Sequence, residues 1–89
     1  MKKKYTSFGF SLPLSQIRKN QSVQILSIPN TDVRSQALRL GMMEGSSVLC
    51  LEKLRHGPIV LLVENQQIAI GYLLTQNIRI IPLKSLYYK

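Results

Sequence analysis

The stretch TDVRSQALRLGMMEGSSVLCLEKL, residues 31–54, decides the fold. Its first ten residues have helical spacing. Val33, Ala37 and Leu40 fall at i, i+4 and i+7, Leu38 widens the stripe, and Arg34, Ser35, Gln36 and Arg39 take the other face. Thr31 or Asp32 is placed to cap the start by accepting a backbone N–H. Gly41 stands where a helix wants a left-handed residue at its end. Met42-Met43-Glu44-Gly45 then reads as a turn, and Ser47–Leu54 as a strand.

Outward from this unit the pattern is all strand. Upstream, Ser22–Ile28 alternates through Val23 and Ile25 and then shifts phase to Leu26 and Ile28, which predicts a bulge or a strand covered on both sides. Pro29-Asn30 ends it. Ser15–Asn20 is a polar turn anchored by Ile17, and order begins near Leu12. Downstream, Arg55-His56-Gly57 links to a strand at Pro58–Glu64, and Asn65–Gln67 links to another at Gln67–Gly71. Tyr72–Gln76 is a short turn, and Asn77–Leu83 the last strand. The expectation is a mostly β domain of five short antiparallel strands, with one α-helix between the first and second, curled into a small, partly open barrel.

Composition bounds the function. Eighty-nine residues make one small domain, and a 45% hydrophobic fraction is ordinary for a folded protein. Only Cys50 is present, so no internal disulfide forms, and a domain this small without one points to a reducing compartment. Lys2–Lys4 precede no clean apolar run, so a signal peptide is not expected. No apolar segment reaches the roughly 18 residues that span a bilayer. The net charge of +8 sits on the ends. Lys2, Lys3, Lys4, Arg18 and Lys19 meet no acid before residue 20, and Lys84 and Lys89 meet none at the other end. Between them Arg34, Arg39, Lys53, Arg55 and Arg79 nearly balance Asp32, Glu44, Glu52 and Glu64. The organisation expected is a basic arm at 1–11, a barrel at 12–83 and a basic tail at 84–89.

Candidate chemistry is sparse. His56, the one histidine, has no nucleophile or carboxylate at a catalytic spacing and reads as a solvated hairpin residue. Cys50 lies in an apolar strand and reads as a small buried hydrophobe. One Cys and one His fall short of the four ligands of a stable metal site. Gly41 and Gly45 form no phosphate-cradling motif. No catalytic residue, metal site or cofactor is therefore expected. Two adjacent methionines in a turn do not both point inward with ease. An adaptable docking surface at Arg39, Leu40, Met42, Met43 and Glu44 is the site reading. The lysines and aromatics of the ends (Tyr5, Phe8, Phe10, Tyr87 and Tyr88) also suit a weak contact with an anionic membrane surface.

At Leu38–Val48, LRLGMMEGSSV, the sequence resembles the FeoA family of small cytoplasmic proteins. In that family a helix ends in R-L-x-x-L-G-hydrophobic-x-x-G-x-x-V and a strand of an SH3-like barrel follows. Leu40, Gly41, Met42, Gly45 and Val48 match. Leu14-Ser15-Gln16-Ile17 with Val23 and Ile25 is similar to the family's opening, and Gly57-Pro58-Ile59 to its G-D-P-I hairpin. Ile68–Ile70 and Asn77–Ile81 fit its last strands, so the likeness runs from about Leu12 to Leu83. Gln36 and Ala37 stand in place of the leading R-L, Asn20 in place of a common glycine, and Gly71 near a common arginine; the aspartate of the hairpin is missing. The resemblance implies a non-enzymatic cytoplasmic accessory protein of bacterial ferrous-iron uptake, acting with FeoB, a membrane transporter with a cytosolic GTP-binding domain. Rival readings are a nucleic-acid-binding small barrel and a domain of the kind appended to metal-dependent repressors. The first would group basic residues and stacking aromatics on the folded face, and the second would need a DNA-reading helix.

Overall fold

A computed structural model describes residues 11–83. The expected arm at 1–11, save Ser11, and the tail at 84–89 lie outside the described residues. So do the lysines and aromatics of the suggested membrane contact.

In chain order the elements are β1 (Leu12–Pro13), a 3-10 turn (Leu14–Gln16), β2 (Ser22–Ser27), α1 (Thr31–Arg39), β3 (Ser47–Lys53), β4 (Ile59–Val63), β5 (Gln66–Ile70), α2 (Tyr72–Thr75) and β6 (Arg79–Pro82). The strands form one antiparallel sheet in the order β1-β6-β2-β3-β4-β5. All five expected strands are present, with the helix between the first two of them. The sixth, β1, is the correction. Its two residues are too short to show a period, and Pro13 sits on the sheet edge, where its missing N–H interrupts no ladder. Tyr72–Thr75, read as a turn, closes into one helical turn.

The sheet curls but stays open. The edge strands β1 and β5 do not pair; the segments that leave them, the 3-10 turn and α2, pack on each other. Lys53 adds a second tie, donating from Nζ to the carbonyls of Ser15 at 2.7 Å and Ile17 at 2.9 Å. The phase shift in β2 is a bulge: register slips between Ile25 and Ser27, turning Leu26 outward between buried Ile25 and Ile28. A second slip, between Cys50 and Glu52, gave no sequence sign. The inward faces of β2, β3, β4 and β6, with Val33 and Ala37 of α1 and Leu14 and Ile17, make one core. Full burial of side chains of this size stabilises by about 1.5–3 kcal/mol each.

Asn30, not Thr31 or Asp32, caps α1. Its extended backbone lets Oδ1 accept the Val33 N–H at 3.0 Å. The helix ends as expected on Gly41, at φ +85°. Gly41 donates to the Leu38 carbonyl and Met42 to that of Ala37, both at 2.9 Å, the paired bonds of a Schellman turn. Asn20, standing where the family commonly has glycine, takes a left-handed conformation at φ +69°, which asparagine accepts more readily than most residues.

Candidate functional site

The expected docking residues follow directly from that helix end. In a Schellman turn the residue after the left-handed glycine folds back over the last turn of the helix, where an apolar side chain packs. Met42 occupies that position and is 0% exposed in the core, with Ala37. Met43, the next residue, is turned outward and 53% exposed. The structure therefore divides the expected pair. Met42 cannot form part of a contact face in this conformation, because it fills the interior beneath one.

The turn that carries Met43 is held on every side. The Met43 N–H donates to Ser46 Oγ at 3.0 Å and Ser46 N–H returns to the Met43 carbonyl at 2.9 Å. Gly45, at φ +93°, donates to the Ile25 carbonyl, and Ile25 to that of Ser46, at 2.8 and 2.9 Å. The turn is stapled to the bulged part of β2. Glu44 completes the fastening: one oxygen, Oε2, accepts from Ile28 N–H at 3.3 Å and from Arg34 Nη2 at 3.2 Å. Arg34 donates Nε and Nη2 to the Ile28 carbonyl. Both backbone groups of Ile28, left without a ladder where β2 stops before Pro29, are satisfied this way. The exposed ion pair itself contributes at most about 1 kcal/mol. Glu44 shapes the turn.

Arg39 is exposed in the last turn of α1, and Leu40, its C-terminal cap, is half-buried. Sequence reasoning missed Leu38. It widened the apolar stripe on paper, yet in the structure it faces solvent at 55% exposure beside the same helix end. On the other side of the turn, Gly45 and Ser46 open into a shallow groove on the outer face of β3 and β4, lined by Leu49 and Leu62 with Ser22, Ser47 and Leu83.

The remaining candidates are placed apart. His56 is exposed in the β3–β4 hairpin, its ring set edge-on to Tyr72 with centroids 6.0 Å apart. Cys50 is fully buried, and its thiol donates to the Glu52 carbonyl at 3.6 Å. Burial pushes the thiol above its ordinary value near 9.0, against the weaker opposing pull of the Lys53 charge. The folded chain therefore keeps this proton at a pH where the unfolded chain loses it. The stability from this group is complete below pH 9.0 and falls as pH rises through the folded value. A thiol reagent is expected to label Cys50 only on unfolding, and Cys50→Ala to flatten part of the alkaline loss of stability seen in urea melts. Among the described residues, no three His, Cys, Asp or Glu side chains gather closely enough to hold a metal ion, and no helix is long and apolar enough to cross a membrane.

The family model described as the FeoA domain matches residues 12–82. An iron uptake regulatory protein (FeoA) has the same fold at TM-score 0.76 and 24% identity, over 83% of this chain and 99% of that one. A FeoA-like protein from Clostridium acetobutylicum matches at TM-score 0.76 and 16% identity, over 89% and 94%. A manganese-dependent transcriptional repressor shares the barrel at TM-score 0.71 and 16% identity, over 82% of this chain but 42% of its own. No curated protein matches in sequence. These likenesses show the SH3-like fold expected from the sequence.

Proposed function

The chain belongs to the FeoA family, and from that premise we propose that it is a cytoplasmic, non-enzymatic accessory protein of bacterial ferrous-iron uptake that docks on the cytosolic side of a FeoB-type transporter. The observation that carries the docking site is Met43, held outward on a turn fixed by three backbone–backbone hydrogen bonds and one to the Ser46 hydroxyl. A rigid turn loses little entropy on binding, while the unbranched thioether adapts to what it meets. Arg39 and Leu40 flank it on the helix side and the Leu49–Leu62 groove, with Glu64 in its lining, on the sheet side, giving an apolar centre with a charged rim of both signs. Met42 supports the surface from below and Glu44 from the side.

The test is a titration of the protein against the soluble G domain of a FeoB from the same organism, at physiological salt, with and without guanine nucleotide. Saturable binding is expected, weakened about ten-fold or more by Met43→Ser, the loss typical of a central contact. Equal affinity for the wild type and the Met43→Ser protein would move the surface elsewhere on the barrel. Absence of binding in every nucleotide state would move the partner to the intact transporter, or to nucleic acid, tested next.

A further inference from the structure

We propose that the barrel end formed by the 3-10 turn, the β3–β4 hairpin and α2 attaches to an anionic lipid surface. Three segments distant in sequence converge there. α2 packs on the 3-10 turn. Pro58 and Gly71 flank the paired residues Ile59 and Ile70, which sets the hairpin beside α2, and the His56 and Tyr72 rings meet edge to face. Lys53, at the base of the hairpin, grips the carbonyls of Ser15 and Ile17.

Two of the most exposed apolar side chains in the described residues stand on this end, Leu54 at 58% and Leu73 at 75% exposure. Leu54 is carried on the hairpin and Leu73 on α2, two separate segments, and both side chains face solvent. Beside them stand two exposed arginines, Arg18 and Arg55, while Lys19 is paired with Glu52 at 3.3 Å and Lys53 is held by the Ser15 and Ile17 carbonyls. Asp32 opens α1, Glu44 is tied to Arg34, and Glu64 sits at the far end of β4. Exposed leucines beside exposed arginines fit a fluid, negatively charged surface, which demands no complementary shape; a protein partner of the usual interface area would. Each cation near an anionic leaflet strengthens attachment about five-fold, and each inserted leucine by about ten-fold or more. This end is distinct from the Met43 turn, and the inference does not depend on the transporter reading.

The experiment is co-sedimentation of the full chain with vesicles of phosphatidylethanolamine and phosphatidylglycerol, against vesicles of phosphatidylcholine alone. Preference for the anionic vesicles is expected, with about a hundred-fold or greater loss for Leu54→Ser combined with Leu73→Ser, and about five-fold for Arg18→Gln or Arg55→Gln. All four side chains face solvent, so thermal melting should be unchanged. The proposal is overturned by equal sedimentation with both vesicles. It is also overturned if the leucine variant binds normally while replacing Lys2, Lys3 and Lys4 with alanine abolishes binding, which assigns attachment to the N-terminal lysines. Loss of G-domain binding in the leucine variant, with vesicle binding intact, would make the end a protein surface instead.

Discussion

Met42→Ser is expected to remove a large share of the domain's stability, and Met43→Ser to leave it within about 0.5 kcal/mol of wild type. The two residues are adjacent and chemically identical, so the difference is one of position alone. Met42 follows the left-handed Gly41 and is driven into the core, where truncation leaves a cavity and costs about 2–5 kcal/mol before the hydroxyl is counted. A domain of this size holds about 4–10 kcal/mol in all. The expected fall in melting temperature is about 10–25 °C for Met42→Ser and a few degrees at most for Met43→Ser. Equal, small effects from the two would show that the turn rearranges and that Met42 is able to reach the surface after all.

The second large effect is expected at Lys53. Its ammonium donates to two carbonyls, Ser15 and Ile17, more than thirty residues away in sequence. Bonds to a charged donor contribute about 1.5–3 kcal/mol each, and a carbonyl stripped of its partner adds desolvation. Water reaches part of this site, so Lys53→Met should destabilise by about 2–4 kcal/mol in urea. The loss is local in origin: the Ile17 amide, which bonds to the Leu14 carbonyl at 3.0 Å, should lose hydrogen-exchange protection ahead of the core strands. Unchanged exchange at Ile17 would mean that the packing of α2 alone holds the 3-10 turn.

The contrast between these residues explains what was legible beforehand. Strands β2 to β6 and helix α1 announce themselves because each repeats a local period, and Gly41 announces the helix end because few residues accept its backbone. The β2 bulge was readable for the same reason, as a break in alternation at Leu26. What escaped is non-local. β1 is too short to repeat anything, and its strand character comes from pairing with β6 at Ile80 and Arg79. The slip opposite Glu52 leaves the apolar pattern of β3 intact. At the candidate site the sequence marked the turn but could not tell inward Met42 from outward Met43, since the choice is made by the hydrogen bonds of the Schellman turn. Glu44 looked free because Arg34 and Ile28, its partners, are ten and sixteen residues distant.

The place of β6, inserted between β1 and β2, has a consequence for how the protein is made. The ribosome delivers β1 and β2 first and Arg79–Pro82 after all the other strands. Until that strand emerges, the meander from β2 to β5 can pair in succession, but one edge of β2 and the whole of β1 have no neighbour to join. The Ser11–Arg79 contact, across 68 residues, must wait for the same moment. Completion of the barrel thus waits for β6, and a nascent chain stalled before it presents an apolar strand edge to the chaperones around it.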